Sequence, residues 1–369
     1  MIAKAAVLAR FQEPLEVREY PAPERLDAGA ALVRVEMAGI CGTDVHLWQG
    51  QLPIPVPVIL GHETVGRIAV LGEGLEKDWL GRPLAVGDRV AWASSIVCGS
   101  CYYCRVKRQP TRCLARKAYG ISYCADEPPH LHGGYAEYIV LLPGTAIFRL
   151  PESLATESVV GAGCALWTVI HGVERMGIGW GDVVVVQGSG PVGLAAVAVA
   201  REAGASRIIV TGGPEHRLER VRRFGADVTI DVEAHRDRKG MVLEATPGGY
   251  GADVVMECVG HPAAVAEGME YCRDGAKMLV LGQYGDAGPT PINPHAITRK
   301  QLQLQGSWGF EPRHVLGALE FLERSGERYP FAGTVTHRFG IEQANEALEA
   351  TRTWASGKSV IVPKEAISC

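Results

Sequence analysis

Hydrophobic and polar positions change their rhythm once along the chain. Up to about residue 150, short runs rich in β-branched residues, such as 31–36, 64–70 and 87–92, are broken by Pro and Gly. Turn signals every ~8–12 residues predict an irregular β-barrel or sandwich. From Pro151 the pattern turns to strand–helix alternation. Residues 157–176 predict a helix, and 182–187 form a continuous apolar run suited to a buried parallel strand. Then come a helix at 191–203, a strand at 207–211 and an Arg-rich helix at 214–224. Strands at 253–258 and 277–281 flank a helix at 262–272. Such repetition predicts an α/β fold, a Rossmann-like doubly wound parallel sheet. Past about Leu304 the regularity loosens, although 314–324 and 341–351 read as amphipathic helices.

Length agrees with two units, since 369 residues make two domains at ~150 each. With 47% hydrophobic and 21% charged residues the chain is typical of soluble proteins. A net charge of −4 gives no electrostatic case for nucleic acid as a partner. Arg10 and Glu13 interrupt the apolar start, and the longest apolar runs, at 183–186 and 192–200, fall short of the ~20 residues of a membrane span. The expectation is a cytoplasmic protein with no membrane partner. Two counts are high: 45 Gly and ten Cys. In a reducing compartment, clustered cysteines read as metal ligands before disulfides.

Cys98, Cys101, Cys104 and Cys113 form C-x2-C-x2-C-x8-C in one polar, loop-like segment at about 95–115. Four thiolates so spaced suit a closed tetrahedral site, hence a structural zinc. An iron–sulfur centre is the rival reading, and four unliganded cysteines fit poorly among Tyr102, Tyr103, Arg105, Lys107 and Arg108. The other cysteines outside metal candidates, Cys124, Cys258, Cys272 and Cys369, have no partner pattern.

A second candidate is assembled from distant residues. Cys41-Gly-Thr-Asp-Val-His46, Gly61-His62-Glu63 and Cys164 each carry little weight alone. Together, two thiolates and an imidazole would leave one position open, as in a catalytic zinc, with Asp44 orienting His62. On the nucleotide side, Gly188-Ser-Gly-Pro-Val-Gly193 directly follows the 183–187 strand and opens the next helix. There glycines permit a tight turn and pyrophosphate meets a helix N-terminus.

These motifs, with Gly133-Gly-Tyr-Ala-Glu-Tyr138 after the lobe, resemble the zinc-dependent medium-chain alcohol dehydrogenases in order, spacing and length. The resemblance implies a GroES-like catalytic domain at 1–160 and 305–369 carrying the zinc lobe, with a Rossmann domain at 161–304 inserted. It implies two zincs per subunit: a catalytic one on Cys41, His62 and Cys164, with Glu63 behind it as an alternative ligand, and a structural one on the four-Cys lobe. The lobe's last interval is eight residues where relatives commonly have seven, and some relatives carry Glu in place of Cys164. The resemblance also implies cofactor contacts at Gly188, Gly190, Pro191, Val192 and Gly193, at Thr168 near the nicotinamide, and at the Val259-Gly260 and Gly282-Gln283 loops. Lys358 is either a pyrophosphate contact or a solvated surface lysine.

The choice between NAD and NADP turns on the end of the second strand. Gly212 stands where the family usually has the ribose-binding Asp, which removes the repulsion of a 2′-phosphate. Arg217, or His216, could pair with that phosphate, yet Gly213 and Pro214 occupy the place where NADP-specific relatives have Arg. Glu215 is a substitute carboxylate, and Arg217 also matches a basic residue of NAD users. The balance leans to NAD.

The implied reaction is hydride transfer between an alcohol and NAD(P), reversible with the aldehyde or ketone. Zinc polarises the oxygen, and the cofactor carries the redox chemistry. By the resemblance, Thr43 and His46 relay the alcohol proton outward. Their plainer reading is as hydrogen-bonding residues of a turn. Ser94 stands near the place of a bulky aromatic in several relatives, which favours secondary, polyol or bulky alcohols unless Trp48, Trp92 or Trp308 refills the space. Alternatives are a zinc-free quinone or enoyl reductase, and a non-catalytic nucleotide-binding protein, of the same fold. The family implies a homodimer or homotetramer.

Overall fold

The computed structural model describes residues 1–364, so Cys369 lies outside the described residues. The chain divides into two compact units. The first takes Met1–Gly163, Glu311–Arg324 and the chain from Phe331, and the second takes Cys164–Phe310 with Ser325–Pro330.

In the first unit the main sheet runs in the order Ile147–Arg149, Arg89–Trp92, Glu63–Leu71, Ala31–Gly39, Lys358–Ile361, Val335–Phe339, with Tyr138–Leu141 also paired to Ala31–Gly39. Burial rather than strict alternation dominates these strands, because Ala31–Gly39 and Arg89–Trp92 lie within a closed apolar core with Leu60, Leu131 and Tyr135. One register fact positions the site: Gly39 pairs with Glu63 on one side and Val360 on the other. The C-terminal strand thereby reaches a residue almost 300 positions earlier. Pro312–Ser325 and Ala344–Arg352 are the two late helices, the second preceded by a 3-10 turn at Ile341–Gln343.

The second unit holds a six-stranded sheet, parallel throughout. Its order is Val228–Asp231, Arg207–Gly212, Val183–Gln187, Ala252–Glu257, Cys272–Val280, Gln303–Gly306. Numbered along the unit this is 3-2-1-4-5-6, the dinucleotide-binding order. The apolar pattern did not mark its two edge strands. Val228–Asp231 is short and half-exposed, and Gln303–Gly306 is polar and mostly exposed, so neither carries a buried run. Among the described residues no helix is long and apolar enough to cross a membrane.

Candidate active site

Helix Gly42–Trp48 starts immediately after Cys41, which places Asp44 in its first turn. Asp44 is completely buried and serves three partners. Its Oδ2 accepts the Cys41 N–H at 2.8 Å and the Tyr135 hydroxyl at 3.0 Å, while Oδ1 lies 3.2 Å from His62 Nδ1. In the neutral ring a carboxylate on Nδ1 fixes the single proton there and leaves Nε2 as the ligating nitrogen. Burial opposes a charged His62, yet the charge and hydrogen bond of Asp44 prevail and hold its pKa well above the ordinary value. Burial, with Asp44 adjacent, pushes the Tyr135 phenol well upward, so it stays a donor. Tyr135 lay within a recognised motif, but only the fold brings it to Asp44.

The ligand atoms of Cys41, His62, Glu63 and Cys164 all lie within 4.8 Å of one another. Cys164 reaches the group because the long helix Thr156–Met176 breaks at Gly163, with φ 50° and ψ −156°. A Cβ at Gly163 would stand 2.3 Å from Glu63 Oε1, so this position needs glycine for its backbone and for its closeness to the carboxylate. Lys358 is not a solvated surface lysine. Its side chain is 5% exposed and its ammonium pairs with Glu63 Oε2. The antiparallel pairings on either side of Gly39 bring these two charges together, which no local spacing encodes.

Substituting Asp44→Asn should weaken metal binding at this group by about 10–100-fold. An amide facing His62 Nδ1 would force the imidazole proton onto Nε2, the nitrogen needed for the metal. Zinc partition against a graded chelator measures this; unchanged partition would refute the assigned role.

In the lobe, strands Ser95–Ile96 and Lys117–Ala118 pair and close the base of the loop. Cys101 Sγ lies 3.6 Å from Cys104 Sγ, and Cys113 Sγ lies 3.5 Å from Cys98 Sγ. Those distances exceed a disulfide bond of ~2.05 Å and approach the ~3.8 Å edge of a tetrahedron with 2.3 Å Zn–S bonds. A cubane iron–sulfur cluster would hold each thiolate on its own iron, farther apart. Backbone N–H groups of Cys98 and Cys101 donate to Cys113 Sγ and Cys98 Sγ, both at 3.3 Å. Hydrogen bonds from the Ser100 and Cys101 backbone lower the Cys98 thiol to about 6. The donor set fits one zinc.

The nucleotide turn also fits its group. Helix Pro191–Glu202 begins at Gly190, where a Cβ would meet nothing within 4 Å, leaving room over the amide end of the helix. A Cβ at Gly193 would stand 2.0 Å from the Gly188 carbonyl oxygen, so the helix packs directly on the turn. Pro191 and Val192 open the helix, and half-buried Thr168 lies one turn beyond Cys164 on Thr156–Met176. Gln283 Nε2, on the loop after Cys272–Val280, is buried without a hydrogen-bond partner, as a donor awaiting a ligand would be.

At the end of Arg207–Gly212, Ser189 Oγ donates to the Gly213 carbonyl at 3.0 Å and accepts the Gly213 N–H at 3.2 Å. A Cβ at Gly212 would stand 2.8 Å from that hydroxyl, so no side chain fits there. Glu215 pairs with Arg222 at 2.5 Å on the surface, and Arg217 is half-buried on the same helix. Thr43 and His46 lie three residues apart on helix Gly42–Trp48, hence on one face. Thr43 is half-buried, and exposed His46 has Nδ1 2.6 Å from Gln51 Oε1. Ser94 and Trp92 are buried, whereas Trp308 stacks on Tyr284 at 5.6 Å.

Two family models match, the alcohol dehydrogenase GroES-like domain over residues 27–152 and the zinc-binding dehydrogenase over residues 191–324. The chain is 37% identical to 5-exo-hydroxycamphor dehydrogenase of Pseudomonas putida, over 97% of this chain and 98% of that protein. An alcohol dehydrogenase structure from Thermotoga maritima superposes with TM-score 0.94 at 33% identity, covering 99% of this chain and 100% of the other. A Sinorhizobium meliloti structure with bound NADP gives 0.84 at 28%, covering 98% and 100%. With these relatives and the metal and nucleotide geometry, the chain is an NAD(P)-dependent oxidoreductase of small-molecule alcohols. It belongs to the zinc-dependent medium-chain dehydrogenase/reductase family.

Proposed function

We propose that this enzyme reversibly oxidises a secondary alcohol, bulky, alicyclic or polyol in shape, to the ketone, with NAD preferred. The grouping of Cys41, His62, Cys164 and Glu63 within 4.8 Å carries the reading. Cys41, His62 and Cys164 would hold the catalytic zinc, with Glu63 as the exchangeable neighbour, and the four lobe cysteines the structural zinc. When bound, zinc and NAD(P) supply Lewis acidity toward an alcohol oxygen and a hydride acceptor. The chain's own residues do the rest. Asp44 holds His62 in the ligating tautomer, and Thr43 and His46, sharing one helix face, take the alcohol proton to the surface.

Small Ser94 favours a roomy site, and the similarity to a hydroxycamphor dehydrogenase supports a bulky cyclic alcohol. NAD is supported by Asp231, which pairs in register with Gly212 and has Oδ1 3.2 Å from the place a Gly213 Cβ would occupy. A carboxylate there would favour ribose hydroxyls over a 2′-phosphate. We further propose a cytoplasmic homodimer or homotetramer. An initial-rate screen of alcohols and carbonyls with both cofactors tests the reading. Cyclic secondary alcohols should exceed ethanol by at least ~10-fold in kcat/KM, with NAD ahead of NADP. Turnover only on quinones or enones, with one zinc per chain, would identify a reductase without a catalytic zinc instead. Nucleotide binding without any turnover would identify a non-catalytic protein.

A further inference from the structure

We propose that Glu257 is a positioning residue, whose single buried carboxylate fixes both strand-end loops of the dinucleotide site. Glu257 ends strand Ala252–Glu257 and is wholly buried. Its Oε1 accepts the N–H groups of Val259 at 2.8 Å and Gly260 at 2.7 Å, and Oε2 accepts that of Gly282 at 3.1 Å. Its main-chain carbonyl accepts the N–H groups of Leu281 at 3.0 Å and Gly282 at 3.1 Å. Both loops are thereby tied to one residue at the carboxyl ends of central parallel strands, where open α/β sheets bind ligands. The adjoining strand carries the glycine turn: Cys258 N–H donates to the Gln187 carbonyl at 2.9 Å.

The approach of the loops is close. A Cβ at Gly282 would stand 2.3 Å from the Gly260 nitrogen and 2.8 Å from Glu257 Oε1. Three converging N–H groups require an acceptor-only side chain, which an ionised carboxylate is and an amide is not. The partnerless Gln283 Nε2 sits on the loop so held, which points to a ligand rather than to the sheet as the purpose of the arrangement.

The inference rests on the proposed function, and its test separates the two. NADH and NADPH are titrated into zinc-loaded protein by fluorescence, for the native chain, Glu257→Gln and Ile230→Val. Ile230 is buried in the core of the same sheet and touches neither loop's carboxylate network. In Glu257→Gln the amide must oppose either Gly282 or the Val259–Gly260 pair, so cofactor Kd should rise about 10–100-fold, as expected for losing hydrogen bonds to a charged group. Cofactor KM should rise in step, with a smaller change in kcat. Ile230→Val should lower the melting temperature and leave cofactor Kd within about two-fold. If the native chain binds cofactor and Glu257→Gln binds within two-fold of it, Glu257 is merely structural and the inference fails. If the native chain binds neither nucleotide, the function itself fails. Should Glu257→Gln not fold, hydrogen exchange of the native protein decides. The amides of Val259, Gly260 and Gly282 should exchange as slowly as those of strand 252–257, and fast exchange would overturn the proposal.

Discussion

Replacing Cys41 with alanine should lower kcat by at least ~10³-fold while cofactor still binds. A Lewis acid contributes several kcal/mol to stabilising a developing alkoxide, and each ~1.4 kcal/mol is tenfold in rate. Cys41 is one of four ligand atoms grouped within 4.8 Å, and its backbone N–H is also one of the three partners of Asp44. Alanine retains that N–H, so the loss falls on the thiolate and not on the helix start. Elemental analysis should find zinc falling from two to one per chain, because the lobe's four cysteines form a separate group. The glycine turn at 188–193 draws on none of these residues, so nucleotide titration should give a nearly native Kd. Turnover within tenfold of native, with two zincs retained, would refute the ligand assignment.

The second large effect concerns stability. Lys358→Met in zinc-free protein should cost about 3–5 kcal/mol, because the Glu63 carboxylate would remain buried without its cation. The two side chains are only 5% and 1% exposed, so water cannot replace the lysine. For a unit of this size the melting temperature should fall by roughly 6–20 °C. Pairing the change with Glu63→Gln removes the stranded charge, and the double variant should be more stable than Lys358→Met alone. Equal losses for Lys358→Met and the double variant would mean that the stranded Glu63 charge does not cause the loss.

Legibility in the sequence followed distance along the chain. The glycine turn was readable because strand, turn and helix are contiguous, and so was the lobe, whose four thiolates span one short loop. Edge strands Val228–Asp231 and Gln303–Gly306 were not readable, since a half-exposed strand carries no apolar run. The pairing of Glu215 with Arg222, seven residues on, was likewise not readable, since it needs the position of both side chains at the helix surface. The burial of Lys358 was hidden for the same reason on a larger scale: its partner Glu63 lies 295 residues away.

By itself, the sequence determined the kinds of chemistry present: thiolates and an imidazole for zinc, and a glycine turn for pyrophosphate. Residue type and local spacing suffice for these, because ligand preference and tight turns are short-range properties. Tertiary structure alone decided which groups support that chemistry. Strand register around Gly39 joins Lys358 to Glu63, the break at Gly163 delivers Cys164, and the β-rich fold sets Tyr135 on Asp44. Such contacts depend on long-range pairing, whose register comes from burying whole faces of a sheet and not from any single motif.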